Sequence, residues 1–330
     1  MIYNLAHSSI FPLNDEKTHI TRRIKEKALN LGFSDCGIAR ARYLEEEEPH
    51  LTNWLSKEYH AGMTYMQNHF EKRLDPRKLL PAAKSVIAVL MNYYPEEIQN
   101  PEAPKISKYA YGKDYHFIMK KRLKSLLEYI RTEYEEVHGR VFVDSAPVLE
   151  HAWAALSGIG WIGKHSLLIN RKIGSFVFLG EVIIDRELVY DEPVKDLCGG
   201  CTRCLRACPT GAIEEPYVVN AQKCISYLTI EHKGDFPEED QTDTHDWIFG
   251  CDICQDVCPW NKHIGFTREP EFKPNPGILG MKREEWEKIT KESFNQQFKH
   301  SPLKRAKFEG IRRNLALHSH KDKHSQGNGD

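Results

Sequence analysis

Eight of the nine cysteines in this 330-residue chain lie between Cys198 and Cys258. The first four follow the C-x2-C-x2-C-x3-C-P pattern of bacterial ferredoxins, at Cys198, Cys201, Cys204 and Cys208. Two-residue spacers let one tight loop supply three thiolates to a cubane, and the fourth cysteine of such a run ligates the other cluster. The run therefore predicts a second cluster with its own cysteines.

The second set of cysteines is one residue short of the same pattern. Cys251, Cys254 and Cys258 are followed by a proline, and Cys224 upstream completes the count. The last cysteine of each run is expected to bind the cluster that the other run holds, and this rule assigns the ligands. One 4Fe-4S cluster takes Cys198, Cys201, Cys204 and Cys258, and the other takes Cys208, Cys224, Cys251 and Cys254.

Structural zinc is the alternative, because four-cysteine zinc sites also contain C-x2-C pairs. Neither C-x3-C-P half is expected of zinc, so iron–sulfur clusters are favoured. In a reducing compartment this density of cysteines indicates metal ligation and not disulfides. The ninth cysteine, Cys36, lies in a predicted strand, where a small buried thiol is the ordinary interpretation.

Length and composition set the remaining bounds. The chain has room for about two domains, and its 40% hydrophobic and 28% charged residues are typical of globular proteins. A net charge of −1 excludes a uniformly basic protein but allows a local basic face. Residues 1–15 lack a signal-peptide pattern, and no apolar run approaches the ~18 residues of a membrane span. We expect a cytoplasmic protein.

Hydrophobic periodicity predicts an α+β fold. An amphipathic helix ends before Gly32, and a longer one runs from the N-cap Asp114 to about residue 135. Pro147 indicates the first turn of another helix. The predicted strands are 36–39, 85–90, 141–143, 166–169 and 176–184, the last two joined by a turn at 171–174.

The composition changes near Asp191, where Cys, Gly and Pro become dense. We therefore expect three parts. Residues 1–190 form the α/β domain, and residues 191–265 form a ferredoxin-like domain with two 4Fe-4S clusters. Residues 266–330 form a Pro-rich linker and a helical, basic segment, with a helix from about Lys282 and a frayed polar end.

A glycine-rich motif of the first domain allows a nucleotide interpretation. Gly158, Gly160 and Gly163 match G-x-G-x-x-G, but a helix precedes them and a strand follows, the reverse of the dinucleotide context. Through Lys164 the stretch nearly fits a phosphate loop, but His165 stands where Ser or Thr must hold magnesium. A tight turn is favoured, with backbone amides that could face some ligand.

Asp144 is the acidic residue of most chemical interest. It follows an apolar strand and precedes Pro147, so it fits a helix cap. A carboxyl group in a partly apolar cavity would instead have a raised pKa and could deliver a proton. Spacing alone leaves both roles open. His116 is interpreted as an ordinary hydrogen-bonded histidine, since the Gly that completes a histidine-on cobalamin motif is missing.

Several longer motifs accompany the cysteines. They are Ser107-Lys-Tyr-Ala-Tyr-Gly-Lys-Asp-Tyr-His116, Asp144-Ser-Ala-Pro-Val-Leu-Glu150, Gly158-Ile-Gly160, Gly163-Lys164 and Cys224-Ile-Ser-Tyr-Leu-Thr229. Together they resemble the epoxyqueuosine reductase family, the cobalamin-dependent iron–sulfur enzymes of the last step of queuosine synthesis in tRNA. The resemblance runs from about residue 20 to about residue 315. It implies base-off cobalamin held between a nitroreductase-like domain and the ferredoxin domain.

The resemblance also implies roles for individual residues. Asp144 would stand over the cobalt face: reduced cobalt engages the epoxide carbon, and Asp144 protonates the oxygen, so that loss of the hydroxyl leaves the cyclopentene. The residues against the corrin or its tail would be Arg73, Ser107, Leu168, Leu179, Ser226 and Asp252. An external low-potential donor would supply the electrons. His151 departs from the family, since many relatives have Arg there.

A tRNA-binding face is implied as well. Its residues would be Lys233, Lys304, Arg305, Arg312 and Arg313. Residues 299–313 hold six Lys or Arg against Glu309, a net charge of +5. A solvated helix face is the alternative, but phosphate contacts need such a cluster, and the modified base would need an aromatic stacking partner. Many relatives continue into tRNA-holding helical repeats, so we expect this chain to be a shorter, monomeric member.

Two other functions share part of this evidence. A corrinoid reductive dehalogenase has the same cofactor and clusters but usually carries a twin-arginine export signal, which residues 1–15 lack. A ferredoxin-like electron-transfer protein would need only the cysteines. Asp144 discriminates between the classes, because an electron carrier would be indifferent to its loss.

Overall fold

The structure, a computed structural model, describes residues 13–134, 136–236 and 243–319. Its strands are β1 (Asp35–Arg40), β2 (Ser85–Asn92), β3 (Lys105–Ile106), β4 (Gly139–Phe142), β5 (Trp161–Ile162), β6 (Leu168–Ile169), β7 (Val177–Ile184), β8 (Ile213–Glu215), β9 (Val218–Val219) and β10 (Trp247–Phe249). Its helices are α1 (Leu13–Asn30), α2 (Glu48–Ser56), α3 (Phe70–Leu74), α4 (Tyr115–Glu133), α5 (Glu150–Leu156), α6 (Arg203–Ala207), α7 (Ile225–Ile230), α8 (Ile253–Asp256), α9 (Pro276–Gly280), α10 (Arg283–Lys288), α11 (Lys291–Gln297) and α12 (Lys307–Ser319).

The first domain is built on a four-stranded antiparallel sheet in the order β1-β2-β7-β4. The two central strands are buried along almost their whole length, because α1 and α4 cover one face and α5 covers the other. A sheet covered on both faces needs apolar residues at successive positions, and the Val- and Ile-rich sequences of β2 and β7 supply them. The predicted mixed helix and sheet fold is confirmed.

The two long helices follow the predicted signals closely. Asp114 caps α4 by accepting a hydrogen bond from the His116 amide at 3.0 Å, and apolar residues at helical spacing are buried beneath it. Helix α1 ends two residues before Gly32, which has a φ of +90°. Residues 1–12, 135, 237–242 and 320–330 lie outside the described residues. Most of the residues concerned in the expectations about the start of the chain and the frayed end are among them.

Two local predictions were wrong. Pro147 does not begin a helix, because α5 starts at Glu150 and residues 143–149 form an irregular loop in which Asp144 has a φ of +53°. The predicted strand 166–169 is shortened to β6, which pairs with β5 and not with β7. The tight hairpin that joins β5 to β6, closed by the Gly163 amide on the Leu167 carbonyl at 2.8 Å, takes up the remaining residues.

The glycine-rich motif is a packing turn, as favoured. Gly158 has a φ of +75°, and a Cβ there would lie 2.5 Å from the Glu192 carbonyl oxygen. A Cβ on Gly160 would lie 2.6 Å from the Ile169 carbonyl oxygen. Glycine is required at both positions because the backbone passes so close.

The three predicted parts share structure across their proposed boundaries, which stay a prediction. β3 from the first part pairs in parallel with β10 from the cysteine-rich part. The C-terminal helices, including α10 at the predicted position, pack their fully buried Trp286, Phe294 and Phe298 against this pair of strands. No helix among the described residues is long and apolar enough to cross a membrane.

Replacement of Trp286 tests whether the C-terminal segment belongs to the core. The side chain is fully buried, and its indole N–H has no hydrogen-bond partner among the described residues. Trp286→Ala should lower the free energy of unfolding by about 3–5 kcal/mol in denaturant titrations. Trp286→Phe keeps most of the ring and removes the unpaired N–H, so it should cost much less. Equal stability of the alanine variant and the unmodified protein would show that the segment is peripheral.

Candidate active site

A cavity of about 400 Å³ lies between the first domain and the cysteine-rich part. Four of its lining residues are those implied to contact the corrin: Ser107, Leu168, Leu179 and Ser226. Four more are Cys208, Cys224, Cys251 and Cys254, the complete second ligand set. Other lining residues are Tyr93, Tyr109, His151, His165 and Gln255. The cavity therefore places one proposed cluster against a mostly apolar pocket formed by distant segments.

The cysteines also separate into two sets by their mutual charge effects. Burial raises the pKa of Cys254, and the thiols of Cys251, Cys224 and Cys208 raise it further. Burial likewise raises the pKa of Cys258, with added effects from Cys198, Cys204 and Cys201. Charges act this way only at short range. These neighbours are the two sets that the spacing predicts, and they support the ligand assignment.

Trp161 lies where it can act on the sulfur atoms of the proposed cluster ligands Cys198 and Cys258. The buried Trp161 indole N–H lacks a hydrogen-bond partner in the described structure and packs beside Cys258 and Cys198. Burial raises the pKa of the Cys198 thiol, whereas Trp161 lowers it. A cluster thiolate would accept this N–H, as cluster sulfurs commonly do.

Cys36 is the exception among the cysteines. It is buried on β1, and burial raises its pKa to about 12. Such a thiol stays protonated at neutral pH and is a poor ligand or nucleophile. The structure agrees with a packing role for Cys36.

Asp144 lies on the loop that follows β4, close enough to His151 and Tyr109 of the cavity wall for its charge to affect their pKa values. Its carboxylate accepts a hydrogen bond from the Tyr115 hydroxyl at 2.6 Å and lies 3.5 Å from the His116 ring. Its backbone amide donates to the Glu150 carboxylate. The side chain is 59% exposed, and the N-cap of α5 is Leu149 and not Asp144. The capping role is therefore excluded, and the carboxylate is free to face a ligand.

His116 is the main functional candidate that the sequence interpretation missed. One ring nitrogen contacts Asp114 at 2.7 Å, and the other faces Asp144. Burial would lower the pKa of His116, but the hydrogen bonds to Asp114 and Asp144 raise it to about 9. The charged imidazole in turn lowers the pKa of Asp144. At neutral pH the pair therefore holds its proton on His116.

Tyr115 fixes the geometry of this pair. Its ring stacks on His116 at 4.2 Å and on Phe178 at 4.1 Å between ring centroids. Burial raises the pKa of Tyr115 far above its usual value, and Asp144 adds to the effect. The hydroxyl therefore remains a donor to Asp144. The signal for this triad was present in the sequence as Asp114-Tyr115-His116, but its partner Asp144 comes from another element.

The cavity wall carries two histidines that are neutral. Burial, with a smaller effect from the nearby His151, lowers the pKa of His165 to about 4. The ring of His151 is open to the cavity, yet desolvation by the surrounding protein lowers its pKa as well. The second ring nitrogen of His165 has no partner in the described structure. Both rings can therefore donate or accept hydrogen bonds with polar groups of a neutral ligand.

Arg73 and Asp252 lie outside the cavity lining and support it. Arg73 donates to the backbone carbonyls of Tyr65, at 2.7 Å, and Asn68. Asp252 is fully buried and accepts hydrogen bonds from the Ser107 hydroxyl and the Lys108 amide. Direct corrin contacts by these two residues stay a prediction, and the structure shows that they hold neighbouring segments in place.

The basic residues proposed to bind tRNA differ in how far their side chains are already engaged by other parts of the protein. Lys233 is exposed, and the Lys304 ammonium donates to the Asn295 side chain at 2.6 Å. Arg305 forms a two-point ion pair with Glu231. Arg312 donates to the Glu287 carbonyl. Arg313 is half-buried and donates to backbone carbonyls of Leu228, His232 and Gly234, so it anchors the segment that carries Lys233.

Comparisons with known proteins agree on one family. The profile described as "Epoxyqueuosine reductase QueG, DUF1730" matches residues 73–145. The profile described as "4Fe-4S double cluster binding domain" matches residues 197–261, which confirms the prediction of two clusters. The curated epoxyqueuosine reductase of Cellulophaga algicola is 54% identical over 303 residues, covering 92% of this chain and 99% of that protein.

Solved structures show the same similarity. An epoxyqueuosine reductase bound to a tRNA-Tyr epoxyqueuosine-modified stem loop superposes with a TM-score of 0.83 at 32% identity, over 91% of this chain and 80% of that chain. The epoxyqueuosine reductase of Bacillus subtilis superposes with a TM-score of 0.82 at 31% identity, with the same coverage. In that second structure a catalytic loop, identified by an aspartate, is swung out of the active site.

Removal of single thiols tests the ligand sets. Cys254→Ala should reduce the iron content of the anaerobically reconstituted protein by about four atoms per chain, because a cubane needs all its thiolates. Cys36→Ala is the control and should retain the full iron content. Iron and sulfide assays with electron paramagnetic resonance measure both. An unchanged iron content in Cys254→Ala would remove this residue from the ligand set.

Proposed function

This chain belongs to the epoxyqueuosine reductase family, and we propose that it reduces epoxyqueuosine to queuosine in the anticodon loop of tRNA. One observation supports the assignment above all: a single cavity is lined by the four cysteines of one cluster and by His151 and Tyr109, whose pKa values the charge of Asp144 also affects. An electron source and a proton source thus lie close to the same space. The electron carrier and dehalogenase alternatives are not favoured, since the matched relatives are epoxyqueuosine reductases.

Cobalamin is the cofactor that we propose for the cavity. The residues fit a large neutral ligand, because apolar side chains dominate the wall and Ser107, Ser226 and His165 offer polar contacts. When bound, its reduced cobalt would supply the electrons to the epoxide carbon. We also infer a nitroreductase-like first domain, on the family resemblance alone.

The two clusters have different places in the proposed electron path. The set that contains Cys254 lines the cavity, whereas none of Cys198, Cys201, Cys204 and Cys258 does. A Cβ at Gly199 or Gly200, in the loop between Cys198 and Cys201, would meet no atom within 4 Å, so this loop has open space beside it. Electrons from an external low-potential donor therefore enter at the cluster of Cys198 and reach the cavity through the cluster of Cys254.

Protons are the part of the reaction that the chain itself supplies. Reduction of an epoxide to an alkene takes two electrons and two protons, and the oxygen leaves as water. A cofactor and substrate that cover the exposed Asp144 carboxyl would desolvate it and raise its pKa. Asp144 then protonates the oxygen. His116 supplies Asp144 with a new proton, because the two groups face each other and His116 is charged at neutral pH.

The tRNA would approach from the side of the C-terminal helices. Burial raises the pKa of the Tyr65 hydroxyl, and Arg305 and Asp144 both act on it by their charge. These groups therefore lie near one another. Tyr65 is 44% exposed and can stack on a splayed base, while Arg305 and the neighbouring cations face phosphates. We propose that the enzyme acts as a cytoplasmic monomer.

Asp144→Asn tests the proton donor. The variant keeps size and hydrogen bonds but cannot release a proton, so turnover should fall by about 10²–10⁴-fold. Iron content and cobalamin binding should be unchanged. Conversion of an epoxyqueuosine-modified stem loop, followed by mass spectrometry of its nucleosides, gives the rate. Asp185→Asn, which removes a carboxylate that faces His138, is the control. Turnover within a few-fold of the unmodified protein would contradict the role of Asp144.

Arg305→Gln tests the tRNA face. Loss of one phosphate contact should lower the slope of log affinity against log salt by about one. Lys172→Gln, an exposed cation in the turn before β7, should leave the slope unchanged. Binding of the unreacted stem loop at several salt concentrations measures both. An identical slope for Arg305→Gln would remove Arg305 from the interface.

A further inference from the structure

The loop 143–149 that carries Asp144 is anchored by apolar packing of Val143 and Val148 but has few polar contacts to other elements. Asp144 itself adopts a φ of +53°, which costs a non-glycine residue about 1–3 kcal/mol and persists only where the surroundings impose it. The polar side-chain contacts described for the loop are Tyr115 and His116 with Asp144, Lys120 with Ser145, and the Asp144 amide with Glu150. The corresponding relative shows that a catalytic loop of this kind can leave its site.

A second buried carboxyl group, that of Glu181, lies next to Glu150, and the packing of the fold does not require it. Glu181 sits in the middle of β7, between Ala88 of β2 and Phe142 of β4, and is 0% exposed. Neither of its oxygens has a hydrogen-bond partner of normal geometry in the described chain. A buried carboxylate without partners is very unfavourable, so the group must be protonated and needs an acceptor.

Glu150 is the acceptor next to it. Burial raises the pKa of Glu181 well above its usual value, and the nearby Glu150 raises it further. Burial also raises the pKa of Glu150, to about 8, with Asp144 adding to the effect. Two carboxyl groups in such contact share protons, since both cannot ionise at low cost.

We propose that Glu181, in its protonated form, donates a hydrogen bond to Glu150 and so orients Glu150 to accept the Asp144 amide, which latches the catalytic loop in place. Glu181 is thus a positioning residue that acts through Glu150 and never touches the substrate. Any effect of the latch on turnover rests on the proposed function. Its effect on how often the loop opens does not.

The latch should depend on pH. Because both pKa values are raised, the pair is neutral at low pH and takes its first charge, on Glu150, as the pH rises through about 8, while Glu181 keeps its proton to higher pH. The groups that face it are Asp144, whose charge opposes ionisation, and His116, whose charge favours it. Glu150 also acts on Tyr115, which stays protonated. Once both carboxyls are charged they repel each other, the donor is lost, and the loop is released.

Hydrogen exchange of the loop amides tests the latch in the full-length, cluster-loaded chain. Mass spectrometry of peptides covering residues 143–149, from pH 6.5 into the alkaline range and corrected for intrinsic exchange, reports loop opening. In the unmodified protein the loop should stay closed while Glu150 ionises near pH 8, and opening should increase several-fold at the higher pH where Glu181 also loses its proton. Glu181→Met removes the donor at similar size, and it should open the loop at every pH. Glu181→Gln keeps a donor that cannot ionise, and it should abolish the alkaline opening.

The controls separate the latch from general destabilisation. Glu133→Gln alters a largely buried carboxyl on α4 that pairs with Arg23, and it should change none of these results. Iron content shows that each variant is folded. Loop exchange in Glu181→Met equal to that of the unmodified protein, or opening in Glu181→Gln equal to that in Glu181→Met, would overturn the proposal. If exchange behaves as expected while the unmodified protein converts no epoxyqueuosine, the proposed function fails and the latch stands.

Discussion

Shared ligation of two iron–sulfur clusters is the constraint on which the rest of the structure depends. Each proposed cluster takes three cysteines from one part of the run and one from the other, so residues 198–258 must fold as a unit. The loop that contains Cys208 is then brought against Cys224, Cys251 and Cys254. This arrangement fixes one wall of the cavity. The pairing of β3 with β10 fixes the opposite wall relative to it.

The first domain contributes the acid–base groups of the site. Its sheet is almost wholly apolar where the helices cover it, yet it carries a buried glutamate at Glu181 and ends β4 just before Asp144. A carboxylate with a strained backbone, a charged histidine and a buried acid pair are costly features that a stable fold does not need. Their concentration around Asp144, between β7 and the end of β4, is the physical mark of a functional site.

Much of this could be predicted where the information is local. Cysteine spacing identifies the cluster sets because chelation depends on short spacers, and α1 and α4 follow from periodicity and from caps such as Asp114. The loop 143–149 could not be predicted, because Pro147 favours a helix start locally while Asp144 is held by Tyr115 and Glu150 from other elements. His116 was undervalued for the same reason. The family resemblance identifies Arg73 and Asp252 as residues of interest, but it does not predict the hydrogen bonds that they make to Tyr65 and Ser107.

The central claim is that the cavity binds a corrinoid in electronic contact with a cluster. The most direct measurement is the visible spectrum of the anaerobically reconstituted protein after incubation with cobalamin and removal of the free cofactor, before and after addition of a low-potential reductant. The account predicts one corrinoid retained per chain, with corrin bands that change on reduction while the clusters remain intact. A protein with both clusters present that retains no corrin bands would contradict it.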